Sequence, residues 1–164
     1  MKSHLRILTS VFILTFFSSC ISSILKEAPP TFSKEISYQQ PSNDFVRMSK
    51  SIFPAWKNKN TSNVISIISD CSESNIYTLD DLHQLISGSL EKPTVTLKEA
   101  TVFKGRPAQK RTIEGEIDGN SIQIRSLSFR KNNCGYVTSL SGRPKAIQTD
   151  EKTYDRFNES LYFK

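Results

Sequence analysis

The chain has 164 residues, 37% of them hydrophobic and 23% charged, with 22 basic and 16 acidic side chains and three cysteines. That length fits one domain with a real core and needs no dense disulfide framework. A net charge of +6, moderate and scattered, favours weak attraction to lipid headgroups or acidic polysaccharide and argues against a nucleic-acid partner.

The N-terminus reads as an export signal. Lys2 and Arg6 form a short cationic start, Ile7 to Phe17 is uncharged and mostly apolar, and the small pair Ser18-Ser19 precedes Cys20. A basic region, an apolar run of about 7–15 residues and a small-residue cleavage site make a secretory signal. The run is too short to span a bilayer, which takes roughly 20 apolar residues. A cysteine directly after the small residues resembles the lipobox of bacterial lipoproteins, although Phe17 stands where Leu is usual. The resemblance implies that residues 1–19 are removed and that Cys20 receives a diacylglycerol and becomes the mature N-terminus. Ile21 rather than Asp follows it, which by resemblance to Gram-negative sorting implies the outer membrane, periplasmic face. An ordinary cleaved signal, or a buried free cysteine, is the plainer alternative. With lipid on Cys20, Cys71 and Cys134 remain in a disulfide-permissive compartment, and a structural bridge is preferred over two buried thiols.

Ile21 to Asn43 reads as a linker, with Pro29-Pro30 and Gln39-Gln40-Pro41 and little apolar period. The folded domain is expected over residues 44–164. Phe45 to Met48 and Ala55 to Lys57 are short strand candidates, and β-branched Val64 to Ile68 is a central one. Thr78-x-x-Asp81 opens a helix as a capping-box variant. Leu79, Leu82, Leu85 and Ile86 fall on one face, and Gly88 stops it. From Pro93 to about Ser141 the pattern is β. Val95 and Leu97 change parity with Ala100 and Val102, which predicts a bulge near Glu99; Ile122 and Ile124 change parity with Leu127 and Phe129, which predicts another near Arg125-Ser126. Asp118-Gly119 is a two-residue hairpin signal, and Lys131 to Asn133 a second turn. A last helix carries Tyr154, Phe157 and Leu161 on one face. The plan is α+β, an antiparallel β-sheet with flanking helices.

Several short motifs then point to a known group. They are Trp56, Cys71, Leu79/Leu82/Leu85, Gly105-Arg106-Pro107-Ala108, Gly115-Glu116-Ile117-Asp118-Gly119, Arg130 to Tyr136 with Cys134 inside it, and Phe157 with Phe163. In this order they resemble small exported bacterial proteins, many of them lipoproteins, with a PsbP-like or Mog-type α/β/α sandwich. Pro107 inside the Gly-Arg segment and Val137-Thr138 after the Tyr depart from the pattern. The resemblance implies an accessory or binding protein, as for the photosystem subunit and nuclear-import factor that share the fold; fold likeness alone transfers no partner.

Catalytic chemistry finds little support in the residues. His83 reads as an exposed helix histidine without a nucleophile in reach. Asp80-Asp81 are first-turn acids that point apart on a helix, and Glu114, Glu116 and Asp118 read as a solvated strand face. No cofactor or metal is implied. The basic residues Lys104, Arg106, Lys110, Arg111, Arg130 and Lys131, with Arg125, Arg143 and Lys145 beside them, are candidates for anion binding if strand pairing gathers them; ordinary solubilising charge is the alternative. The expectation is a non-catalytic envelope lipoprotein, a binding or assembly module joined to the membrane by its lipid, with an envelope protein or anionic envelope component as partner. An enzyme or small-ligand carrier whose site leaves no motif is the second reading.

Overall fold

The computed structural model describes residues 32–72 and 77–164. Nine strands and two helices lie within them: β1 (Ile36–Ser37), β2 (Phe45–Arg47), β3 (Ala55–Asn58), β4 (Val64–Asp70), α1 (Leu79–Ser87), β5 (Glu91–Phe103), β6 (Arg106–Ile117), β7 (Asn120–Lys131), β8 (Cys134–Gly142), α2 (Pro144–Ser160) and β9 (Tyr162–Phe163). The expected signal and Cys20 lie outside the described residues.

Three two-residue turns set the registers of the long strands. Lys104-Gly105, Asp118-Gly119 and Asn132-Asn133 all take positive φ at both positions, the conformation that matches the twist of an antiparallel pair. Only Gly, Asn and Asp adopt it at little cost, so Lys104 at φ 49° is the least natural of the six. With β4 pairing β8, the result is an antiparallel seven-stranded sheet in the order β2-β3-β4-β8-β7-β6-β5. A separate ribbon pairs β1 with β9.

The sheet is buried on both faces, which corrects the bulge expectations. The register from β6 to β7 and from β7 to β8 is unbroken. The parity change between Ile124 and Leu127 is therefore a change of face rather than a bulge near Arg125-Ser126. Ile113, Ile124 and Leu90 form a small cluster with Ile86 and Ile122 on the α1 side. Leu127, Phe129, Tyr136 and Leu140 join Ile65, Ile67, Ile147 and Phe157 in the main core on the α2 side. In β5 the irregularities fall between Glu91 and Thr94 and between Val95 and Leu97, and pairing across Glu99 is regular. The strand is an edge with almost every residue exposed, so Pro93 and the bulges sit where a missing ladder donor costs least.

α1 begins as the sequence predicts. Thr78 Oγ1 accepts from the Asp81 N–H at 3.2 Å, and the Thr78 N–H donates to Asp81 Oδ2 at 2.9 Å. Gly88 caps the helix with its N–H on the Gln84 carbonyl, in the right-handed region. Leu82 seats the helix against Gly135, where a Cβ would overlap its methyl carbons. α2 starts at Pro144 and buries Ile147, Tyr154 and Phe157. Asp150 on that helix accepts from Asn58 Nδ2 (2.9 Å), Thr61 Oγ1 (2.6 Å) and Asn63 Nδ2 (2.7 Å), fastening it to the β3–β4 turn.

The folded domain starts earlier than Asp44. Ile36 is buried, and Phe32 and Tyr38 pack on the main core. Ser33 donates its N–H to Ser69 Oγ at 2.7 Å and receives the Tyr136 hydroxyl at 3.0 Å. Tyr38 also stacks edge-on to Trp56 at 5.3 Å. The apolar residues of this stretch are too few and too irregularly spaced to show a period, and their partners lie far along the chain. Cys71 and Cys134 form a disulfide with Cα atoms 4.2 Å apart, at the same end of the sheet.

Candidate functional site

Two surface features gather the polar residues not used by the core. The first is a cleft of about 320 Å³ between α2 and the sheet, where β5 and β6 run out from under the helix. Its floor carries Leu97, Lys110, Thr112, Arg125 and Leu127, and its helix wall Glu151, Tyr154, Asp155 and Asn158. Arg125 bridges floor and wall through Glu151 at 2.8 Å. Tyr154 and Asn158 are anchored below, with the Tyr154 hydroxyl donating to the Thr138 carbonyl at 3.0 Å and Asn158 Oδ1 accepting from Thr138 Oγ1 at 2.7 Å. Burial pushes the Tyr154 phenol up to about 12, so it stays a neutral hydrogen-bonding group. Lys110 and Asp155 stand exposed at the rim.

The second feature is a basic, aromatic end of the domain centred on Phe163. The Arg106 guanidinium lies 5.6 Å and the Lys131 ammonium 5.0 Å from the Phe163 ring centroid, the geometry of cation–π attraction. Phe163 in turn packs edge-on against Phe129 and Tyr136. Lys104, at the tip of the β5–β6 turn, donates to the Glu159 carbonyl at 2.9 Å, and Arg106 donates to the Lys104 carbonyl at 2.9 Å. The strand pairing thus brings together three of the predicted basic residues, Lys104, Arg106 and Lys131. It does not bring in the rest. Lys110 lies in the α2-side cleft, whereas Arg111 and Arg130 point to the α1 face, as their pairing with Ser126 and Gly135 requires. Arg143 and Lys145 flank the start of α2.

Arg111 belongs to a buried-edge cluster under α1. It pairs with Asp80, which also accepts from Lys98 Nζ at 2.8 Å. Lys98 foremost, with Gln109 and Arg111, holds the Asp80 carboxyl down to about 2. His83 is next to this cluster and corrects the expectation of an exposed side chain: it is 0% exposed. Its Nδ1 is 2.8 Å from Ser126 Oγ and its Nε2 2.9 Å from Ser128 Oγ. Ser128 Oγ donates to the Leu79 carbonyl at 3.1 Å. The carbonyl within reach of Ser126 Oγ, that of Arg111, is farther at 3.4 Å than His83 Nδ1 at 2.8 Å. The arrangement that fits these distances is a neutral imidazole donating from Nε2 and accepting from Ser126 at Nδ1. Burial, and then the nearby Arg111, push its pKa down to about 4. Both ring nitrogens are occupied by the scaffold, so in this conformation His83 offers no base to a bound molecule. The signal for burial was present in the alternation of Ser126 and Ser128 on a strand and in the spacing of His83 from Leu79 and Ile86.

No family description matches the chain, and no curated protein matches it. Among solved structures it is similar to LpqN of Mycobacterium tuberculosis, described as involved in cell envelope biogenesis, with a TM-score of 0.54 at 11% identity over 83% of this chain and 86% of that one. It is similar to the cyanobacterial PsbP (CyanoP) of Synechocystis sp. PCC 6803, with a TM-score of 0.52 at 10% identity over 85% and 99%. It is also similar to PA94 of Pseudomonas aeruginosa, a protein of unknown function, with a TM-score of 0.52 at 15% identity over 84% and 89%. The fold is PsbP-like. At these identities the likeness is one of fold, and no residue role crosses with it.

Proposed function

We propose that the chain is an exported envelope lipoprotein whose PsbP-like domain is a non-catalytic binding or assembly module. In this reading residues 1–19 are removed, Cys20 carries the lipid, and the domain works at the periplasmic face of the outer membrane. The N-terminal layout supports export and lipidation. LpqN, of similar fold, is described as involved in cell envelope biogenesis, which is consistent with an envelope role here. The observation that carries the binding reading is the contrast between His83 and the α2 cleft. The histidine is closed into the scaffold, whereas Lys110, Asp155 and Leu97 present unlike groups at an open cleft edge. That edge suits recognition of a surface better than proton transfer.

The cleft volume also favours one other reading, a small-ligand carrier, since it falls at the low end of ligand pockets, about 300–1,000 Å³. A photo-crosslinking amino acid at position 110, in cells, separates the two. The binding-module reading expects a discrete crosslinked envelope component, lost when Asp155→Lys reverses the charge of the rim. A cleft that yields no macromolecular crosslink but releases a bound small molecule on denaturation supports the carrier instead.

A further inference from the structure

The basic end around Phe163 has no part in the cleft, and its position in the fold gives it a separate use. Of the three cations Lys104, Arg106 and Lys131, the last two flank the Phe163 ring, whereas Lys104 lies 5.6 Å from the Phe103 ring. Each donates to a main-chain oxygen, of Glu159, Lys104 and Lys164 respectively. None is ion-paired with a carboxylate side chain among the described residues. Glu35 and Glu159 are the acids close by, and Glu35 accepts from Asn132 Nδ2 at 3.0 Å. Lys34 and Lys164 add two further exposed cations beside the β1–β9 ribbon, and Tyr162 is 66% exposed next to Phe163.

The chain enters the domain at this same end. Ser33 is fixed to Ser69 and Tyr136, Ile36 pairs with Phe163, and the Cys71–Cys134 bridge ties the adjoining strand ends. Twelve residues lie between Cys20 and Ser33, a span of thirteen Cα-to-Cα steps and a reach of at most about 45 Å. A lipid at Cys20 would hold this end within that distance of headgroups and raise their local concentration around it. An aromatic side chain with surrounding Lys and Arg is the chemistry that suits a bilayer surface, with rings at headgroup depth and cations on anionic lipid.

We propose that Lys104, Arg106 and Lys131, gathered at the Phe163 end of the domain, form a face that rests on an anionic phospholipid surface beside the point where the tether enters. The surface contact deepens the lipoprotein reading but can be tested without the lipid. The polypeptide from Ile21 onward retains every described strand and helix, and it would be sedimented with vesicles of phosphatidylcholine alone or with one-quarter phosphatidylglycerol. Partition into the anionic vesicles only, released by raising salt from 0.05 to 0.5 M, is the expected result. The triple variant Lys104→Gln/Arg106→Gln/Lys131→Gln should weaken that partition on the order of a hundredfold, from about a factor of five per cation. A control triple of equal charge at the N-cap and on the body of α2, Arg143→Gln/Lys145→Gln/Lys152→Gln, should weaken it no more than a few-fold. Equal loss in both triples, binding to both vesicles alike, binding to neither, or release by millimolar inorganic phosphate at constant ionic strength would each overturn the proposal. Should the triple fail to fold, Lys104→Gln alone, at an exposed turn tip, carries the comparison. Unmodified Cys20 in cells would remove the anchor and leave this vesicle result standing.

Discussion

Acidification between pH 6.5 and 4 should destabilise the domain through His83 before its carboxylates matter. The ring is wholly buried, held between Ser126 and Ser128, and its pKa falls from 6.5 to about 4 on folding. A histidine whose folded pKa is depressed binds its proton more readily in the unfolded chain, so stability is full above about pH 6.5 and is lost as pH falls towards 4. The size follows from the shift: about 2 kcal/mol lost by pH 5 and about 3 kcal/mol by pH 4. Asp80 does not confuse the reading, because its carboxyl is lowered to about 2 and its contribution disappears below the ordinary carboxylate range. Urea unfolding of the polypeptide from Ile21 at half-unit pH steps measures the slope. His83→Gln keeps a side-chain amide between the serines and removes the titration. It should lose stability by a roughly constant amount at pH 7 and show a much flatter profile between pH 6.5 and 4. Parallel profiles for the two proteins would refute the assignment of the acid sensitivity to His83.

Reducing the Cys71–Cys134 bridge, which closes a separation of 63 residues, should cost about 4 kcal/mol in the chain-entropy account, read as a drop in urea midpoint with reductant. Gly135→Ala should cost about 1–3 kcal/mol, because the new Cβ overlaps the buried Leu82 side chain; a double-mutant cycle with Leu82→Ala should show strong coupling between the two, and additive losses would contradict the contact. Truncation to Asp44 removes Ile36 and Tyr38 from the core and Ser33 from Tyr136, and should lower stability by at least the roughly 1.5–3 kcal/mol of one buried aliphatic side chain. An unchanged melting curve for the truncated chain would restore a boundary at residue 44.

The elements that sequence made legible are those with local causes. Thr78 and Asp81 are three residues apart and cap one helix end; Asp118 and Gly119 make their turn from their own backbone preferences. The elements it hid depend on partners far along the chain. Ile36 is a strand residue only because Phe163 returns beside it. The parity change in β7 resembled a bulge because a sheet covered on both faces places apolar residues on both parities. Lys104 gave no turn signal, since a lysine with positive φ is uncommon. The site was partly readable for the same reason. Composition identified the basic residues, but only the strand register shows that Arg106 and Lys131 meet at Phe163, with Lys104 beside Arg106, while Arg111 goes to Asp80.

The most direct test of the account is the intact mass of the protein isolated from its own envelope. Loss of residues 1–19 and a diacylglyceryl-type addition on an N-terminal Cys20 are the expected result. A mature N-terminus at another residue, with Cys20 unmodified, would contradict it.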